Sequence, residues 1–397
     1  MNKSIKIFSI IIVAMGLFVF AYFILKSGID GYSAWPTSKT NYEVTGQFGD
    51  FVGGVVGTLF ALAGTFFIYL TFQEQSKENK RTAFEAIFFE MIRLHRDNVS
   101  EMKYNKPVAN NSEKFETYEN RQVMRVIFKE FSECYREVCK FSNSKKSSDY
   151  ISQKHLSFLN KIITDNGLEV SPIDMARIDI AYCMVFYGVG EEGEAILRNL
   201  FRKKYNADYY HKLLYFIKLK PKQSNTDRFL KWKTIRKMEL DKLHLLIDEL
   251  YKNRAHPEQT SNLSLFAIEL DMQRSYNKYY GGHQFRLGHY FRHLYQSYRY
   301  LEENKALSKE RQYSYGKMLR AQLSTYEQAL LLVNSISSIG MKWEFSSEPL
   351  VNDSPPPKLI TKYNLVKNLP GKQLFGIHYK KYYPSVAYET DEHILQG

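Results

Sequence analysis

The stretch GQFGDFVGGVVGTLFALAGTFFIYLTF, Gly46 to Phe72, constrains this chain more than any other. No residue from Phe51 to Phe72 is charged. At about 1.5 Å of rise per residue, a helix over that run crosses a hydrocarbon core of roughly 30 Å. Gly49, Gly53, Gly57 and Ala61 recur every four residues and fall on one helix face, where their small size lets a second helix approach closely. The plain expectation is a packing groove for a neighbouring span, either the chain's own or that of a second copy.

A second uncharged run, Ile7 to Leu25, follows Lys3 and Lys6. No small-x-small cleavage site follows it and another span comes soon after, so it reads as an uncleaved anchor. Segment 26–50 between the runs holds Trp35 and Pro36 and is poor in cations, whereas Gln73 to Arg93 carries Lys77, Lys80, Arg81 and Arg93. The positive-inside rule then predicts a two-span hairpin over 1–72 (spans 7–25 and 51–72, outer loop 26–50) with both chain ends in the cytoplasm. Asp50, at the outer mouth of the second span, is expected to cap its start.

Nearly all of the net charge of +13 lies beyond residue 72. That body is long enough for one large or two modest cores, and its charge suits an anionic leaflet or nucleic acid. Its three cysteines, Cys134, Cys139 and Cys183, form no CxxC pair, so free thiols are expected, with no metal framework and no cofactor.

The periodicity after the spans is helical. Gln73 to Met102 continues the second span without Pro or Gly, and Asn105 to Ser112 breaks the pattern at Pro107. Helices are predicted over 115–141 and from Ser171-Pro172-Ile173-Asp174 to Tyr187, then over Gly193–Lys204, Asp208–Lys218, Thr234–Asn253, Phe285–Asn304 and Ser308–Ile339. No alternation long enough for a sheet is evident. The expected fold class is therefore all-α: an N-terminal two-helix transmembrane hairpin, an all-helical cytosolic domain over 73–340, and an irregular or peripheral tail over 341–397.

Two stretches carry candidate chemistry. Between Phe201 and Lys242, Arg202, Lys203, Lys204, Lys218, Lys220 and Lys222 alternate with Tyr209, Tyr210, Tyr215, Phe216 and Trp232. Such a surface suits RNA or anionic lipid, unless the aromatic residues turn into the core. In GGHQFRLGHYFRHLYQSYRYL, helical spacing puts Arg286, His289 and His293 on one polar face. An arginine to hold a phosphate and histidines to move a 2′-hydroxyl proton would serve a ribonuclease. The His-x-x-x-His pair lacks the metalloprotease glutamate, because Tyr290 follows the first histidine.

Four blocks taken in order, GDFVGGVVGTLFALAGTFFIYLTFQEQ, FFEMIRLHRDNV, GHQFRLGHYFRHLYQSYRYLEEN and LRAQLSTYEQALLLVNSISSIG, resemble the AbiC-type phage abortive infection proteins of bacteria. The resemblance spans about residues 46–340 and fades over 105–260. It implies an antiviral factor at the bacterial inner membrane that halts growth of, or kills, an infected cell. It supplies no catalytic residue. The expected partners are the lipid bilayer, a second copy through the glycine face, RNA or anionic lipid at the basic stretch, and a phage-derived or host trigger. Three mechanisms are compatible with the sequence: a non-enzymatic membrane effector, a membrane-tethered ribonuclease using Arg286, His289 and His293, and a scaffold that recruits another effector. The last block is expected to pack antiparallel on the 286–299 helix across the connection 302–308.

Overall fold

A computed structural model describes residues 2–31, 42–108, 111–252, 278–304, 306–345 and 358–392. The chain divides into two units, Met1–Ile87 and Phe88–Gly397. Trp35, Pro36 and most of the expected outer loop lie outside the described residues, as does the Pro355–Pro357 run.

The first unit is built from α1 (Asn2–Ile29), α2 (Tyr42–Phe51), a π-helical turn (Val52–Val56) and the start of α3 (Gly57–Ser100). Ser4–Ile29 and Tyr42–Ser100 are both long and apolar enough to cross a membrane. Ile7, Phe18, Leu25, Ile68 and Phe72 are all exposed, a surface that water penalises and a hydrocarbon phase does not. Where the helices meet, rings make the contact: Phe23 stacks on Phe51 at 4.2 Å and Phe8 meets Phe66 edge-on at 5.7 Å. Gly16 makes room for the Phe60 ring, which would lie 3.0 Å from an added Cβ. The hydroxyls of Ser9, Thr65 and Thr71 donate to the carbonyls four residues earlier at 2.9–3.0 Å, which satisfies them without water.

Two details differ from expectation. Asp50 lies inside α2 and caps nothing, because the helix begins eight residues earlier at Tyr42. The glycine face is not filled by the chain's own first span. A Cβ at Gly49 or Gly53 would meet nothing within 4 Å, and one at Gly57 would meet only the Val52 carbonyl of its own turn. Gly49, Gly53, Gly57 and Ala61 are all exposed.

The continuation of the second span as one helix to Ser100 is as predicted. The next segment is not. Strands β1 (Lys103–Val108) and β2 (Asn111–Glu119) pair antiparallel, with Lys103 opposite Glu119 and Pro107 opposite Phe115, where a break followed by a helix was expected. The alternation escapes a hydropathy search because the side chains that lean inward from β1 are Tyr104 and Lys106, which meet a buried acid rather than a greasy face. Asn120, at φ 55° and ψ −133°, turns the chain into α4 (Arg121–Phe141).

α5 (Gln153–Asp165) follows where no helix was predicted, and then α6 (Pro172–Tyr187), α7 (Glu191–Phe201) and α8 (Ala207–Lys218), close to the predicted bounds. α6 opens on the predicted cap: the Ser171 hydroxyl accepts from the Asp174 amide, and Asp174 reaches back to Ser171. The expected Thr234–Asn253 helix is two, α9 (Thr226–Lys237) and α10 (Leu240–Lys252). α11 (Gln284–Glu303) matches its prediction. The expected Ser308–Ile339 helix is also two, α12 (Lys309–Arg320) and α13 (Thr325–Ile336), because Ser324 and Glu327 form a second capping box that starts a new helix. α12 is therefore the partner that packs on α11, while α13 packs on α4 and α6.

α6 and α13 are buried on nearly every side, as suits helices that are apolar all round. Most of their few polar groups are paired, with Arg177 Nε and Asn334 Oδ1 the exceptions among the described residues. Asn334 Nδ2 donates to the Tyr182 hydroxyl at 3.0 Å, and Asp179 accepts from Ser338 N and Oγ at 2.7 Å and from Tyr205 at 2.6 Å. Burial opposes the Asp179 charge, but Lys204, Tyr205 and Ser338 outweigh it and bring the carboxyl down to about 2. In the tail, α14 (Leu359–Tyr363) is followed by mostly irregular backbone, and Leu359, Tyr363, Val366, Tyr379 and Tyr383 from this stretch are buried in the core.

Candidate functional site

A backbone crossing sets up a cleft in the larger unit. Where α6 ends, Gly188 takes φ 80°; just before α11, Gly282 takes φ 90°. The His283 amide donates to the Phe186 carbonyl at 2.8 Å and the Val189 amide to the Tyr280 carbonyl at 2.9 Å. A Cβ at Gly188 would lie 2.7 Å from the Gly281 carbonyl carbon, and one at Gly282 would lie 2.7 Å from the Tyr187 oxygen. Only glycine permits both the left-handed backbone and the close approach.

The crossing brings the end of α6 beside the start of α11, and the turn after α13 closes a third wall. Between them is a cavity of about 540 Å³. Phe186, Tyr187, Phe285 and Trp343 give it aromatic walls, Arg292 and Lys342 give it positive charge, and His289 adds an imidazole. No carboxylate is among its lining residues. The Lys342 ammonium lies 4.4 Å from the Tyr295 ring centre, and burial together with nearby Arg292 holds it below the usual lysine value. Asn334 lines the same cavity, and its Oδ1 is buried without a hydrogen-bond partner.

The three residues predicted to act together do not share partners. His289 is exposed in the cleft. Arg286 turns away: its Nε donates to the Lys103 carbonyl at 3.0 Å and its guanidinium lies over the Tyr104 ring at 4.9 Å, half-buried enough that desolvation lowers its pKa. His293 Nε2 donates to the Met91 carbonyl at 2.9 Å, and its ring stacks on His95 at 6.3 Å.

The basic stretch is divided in a similar way. Arg202 and Lys203 are exposed and Lys222 is half-buried. Lys218 pairs with Glu194, and Lys204 lies 3.4 Å from Asp179. Lys220, expected on an anion-binding surface, is 2% exposed. Its Nζ donates to Glu133 at 2.8 Å, Glu137 at 3.0 Å and the Tyr280 hydroxyl at 3.1 Å, with the Tyr279 ring 3.8 Å away. Tyr209, Tyr210, Phe216 and Trp232 are buried, so the aromatic residues of the stretch serve the core.

Lys220 belongs to a buried polar row that sequence reasoning missed. α4 presents Glu130, Glu133 and Glu137 along one face at i, i+3 and i+7. Glu130 takes bonds from Tyr104 and His283 at 2.9 Å and faces Lys106 at 3.6 Å, while Glu137 takes one from Tyr280 at 2.9 Å. Burial pushes both carboxyls up. His283, Lys106 and Tyr104 overcome it at Glu130, which titrates low, whereas Lys220 and Tyr280 do not at Glu137, which titrates high. The spacing of three acids within an apolar helix was the available signal. The row ties β1, the end of α8 and the approach to α11 onto α4. Among the described residues, no group of three or more His, Cys, Asp or Glu side chains could hold a metal ion.

No curated protein and no solved structure matches the chain. A family match does exist; it takes in the two later blocks of the resemblance and runs on into the tail, leaving the blocks at 49–75 and 88–99 outside. Residues 282–374, the part of the chain that holds α11, α12, α13 and most of the cleft, match the model of the family described as "Putative phage abortive infection protein", the AbiC type.

Proposed function

We propose that this chain is a bacterial abortive infection effector anchored in the inner membrane by α1 and the α2–α3 span, with both ends in the cytoplasm, and that it stops infected cells through the membrane rather than by catalysis. The observation that carries this reading is the pairing of two membrane-length helices, their apolar side chains turned outward, with a family match to phage abortive infection proteins. The open glycine face supports a step in which spans from separate copies associate once the larger unit senses infection.

A ribonuclease is the lesser reading, since Arg286 and His293 would have to leave backbone carbonyls to reach a phosphate. The test follows membrane potential with a voltage-sensitive dye, and RNA integrity in the same infected culture. Depolarisation that precedes RNA loss and disappears in Gly53→Leu supports the membrane route. A flat dye trace in dying cells removes it, and intact RNA with full protection in His293→Ala removes the nuclease.

A further inference from the structure

The cleft between α6, α11 and the turn after α13 has the chemistry of a ligand site. Two cationic side chains, Arg292 and Lys342, and the imidazole of His289 converge on one cavity that no carboxylate lines among the described residues. None of the three forms an ion pair among the described residues. Like charges held together on a partly buried wall repel, and an anion between them relieves that repulsion. The first turn of α11 also borders the cavity without an acidic residue, so its amide dipoles add to the positive field. The remaining wall is aromatic, and Phe285 is 72% exposed with the Arg286 guanidinium over one part of its ring at 4.3 Å.

The third requirement is a group that reads the ligand's polar edge. Asn334 is 2% exposed, its amide nitrogen is engaged by Tyr182, and its Oδ1 has no partner. A side chain at Gly340 would collide with that oxygen, and both residues line the cavity. A buried acceptor left unbonded costs free energy, and a ligand N–H at that point recovers it.

We infer that this cleft binds a nucleotide, its phosphate held by His289, Arg292 and Lys342, its base lying on the aromatic wall and donating an N–H to Asn334 Oδ1. A cavity of about 540 Å³ is in the size range of a small-molecule site. The inference goes beyond the membrane reading and stands apart from it: binding is measured on purified protein, so loss of the depolarisation model leaves it untouched.

The test titrates the full-length protein in detergent with the fluorescent nucleotides mant-ATP and mant-GTP, then competes with unlabelled nucleotide, adenosine or inorganic phosphate. Saturable binding is expected for at least one of the two, with adenosine and phosphate each competing at least tenfold more weakly than the whole nucleotide. Arg292→Glu, at an exposed position, is expected to weaken binding tenfold or more without moving the melting temperature, as loss of a charge-assisted hydrogen bond would. Phe285→Ala is expected to weaken it severalfold through lost stacking. Four results overturn the inference: no saturable binding of either probe, binding unchanged in both Arg292→Glu and His289→Ala, phosphate competing as well as nucleotide, or an RNA oligomer outcompeting the mononucleotide at the same residues.

Discussion

A buried imidazole with neither nitrogen bonded costs free energy at every pH, and His95 is such a residue: it is 1% exposed, and both Nδ1 and Nε2 lack partners. Burial, with help from His293 and Arg121, brings its pKa down to about 4. As pH falls below the ordinary histidine value, the unfolded chain takes up the proton first. Stability is therefore present above about pH 6.5 and is lost progressively towards pH 4, by about 3 kcal/mol in all. Asp179, brought down to about 2, gives way only below about pH 3.8, so the two windows separate. His95→Phe is expected to raise the melting temperature slightly at pH 7, by the equivalent of about 1 kcal/mol, and to flatten the loss between pH 6.5 and 4. Thermal melts across that range check both. Gly188→Ala tests the opposite kind of residue, one whose conformation is irreplaceable. It is expected to cost about 3 kcal/mol or more, because φ 80° and contact with Gly281 must both be abandoned. In the sequence, Gly188 was visible as a helix stop. Its role in the crossing was not, since the other strand of that crossing lies far along the chain.

At the scale of elements, α4 shows how one helix can hold a polar and an apolar load together. Its Glu130, Glu133 and Glu137 are tolerable only because Tyr104, Lys106, Lys220, Tyr280 and His283 come to them from other elements. Lys220→Met is expected to destabilise by about 3–5 kcal/mol, because it leaves Glu137 buried without its cation. The pair Lys220→Met/Glu137→Leu is expected to recover most of that loss, and melting temperatures of the two single variants and the double variant measure the coupling. Lys203→Ala, a few turns earlier on the surface, is expected to stay within about 0.5 kcal/mol. Composition could not tell Lys203 from Lys220, since both sit in the same basic stretch. The β1–β2 hairpin and the break between α12 and α13 escape the sequence for a related reason. Inward-facing tyrosine and lysine disguise a strand, and a Ser-x-x-Glu cap inside a periodic run reads as one more helical turn.

For the whole molecule, the two units have different physical demands. Met1–Ile87 turns much apolar surface outward on two helices long and apolar enough to cross a membrane, while Phe88–Gly397 closes its own core with α4, α6 and α13. The glycine face bears on the first unit alone. Gly53→Leu is expected to leave the melting of the larger unit unchanged while reducing self-association of the full chain in detergent, measured by cross-linking. Equal cross-linking of the variant and the wild type would remove the second copy as the occupant of that face.

What the sequence determined by itself was local: membrane-length apolar runs, helical periodicity, the Ser171 cap, and family-like blocks of which the later ones fall within the match at 282–374. Those features follow from neighbours a few residues apart, where spacing alone decides geometry. Tertiary structure decided which polar groups face inward. It turned Lys220 into a buried cation, gave Arg286 and His293 to backbone carbonyls, and left His289, Arg292 and Lys342 around one cavity. Whether a charge meets water, an acid or an empty cleft depends on segments far apart in the chain, 83 residues for Lys220 and Glu137 and 202 for His293 and Met91, and no local window of sequence contains both sides of such a contact.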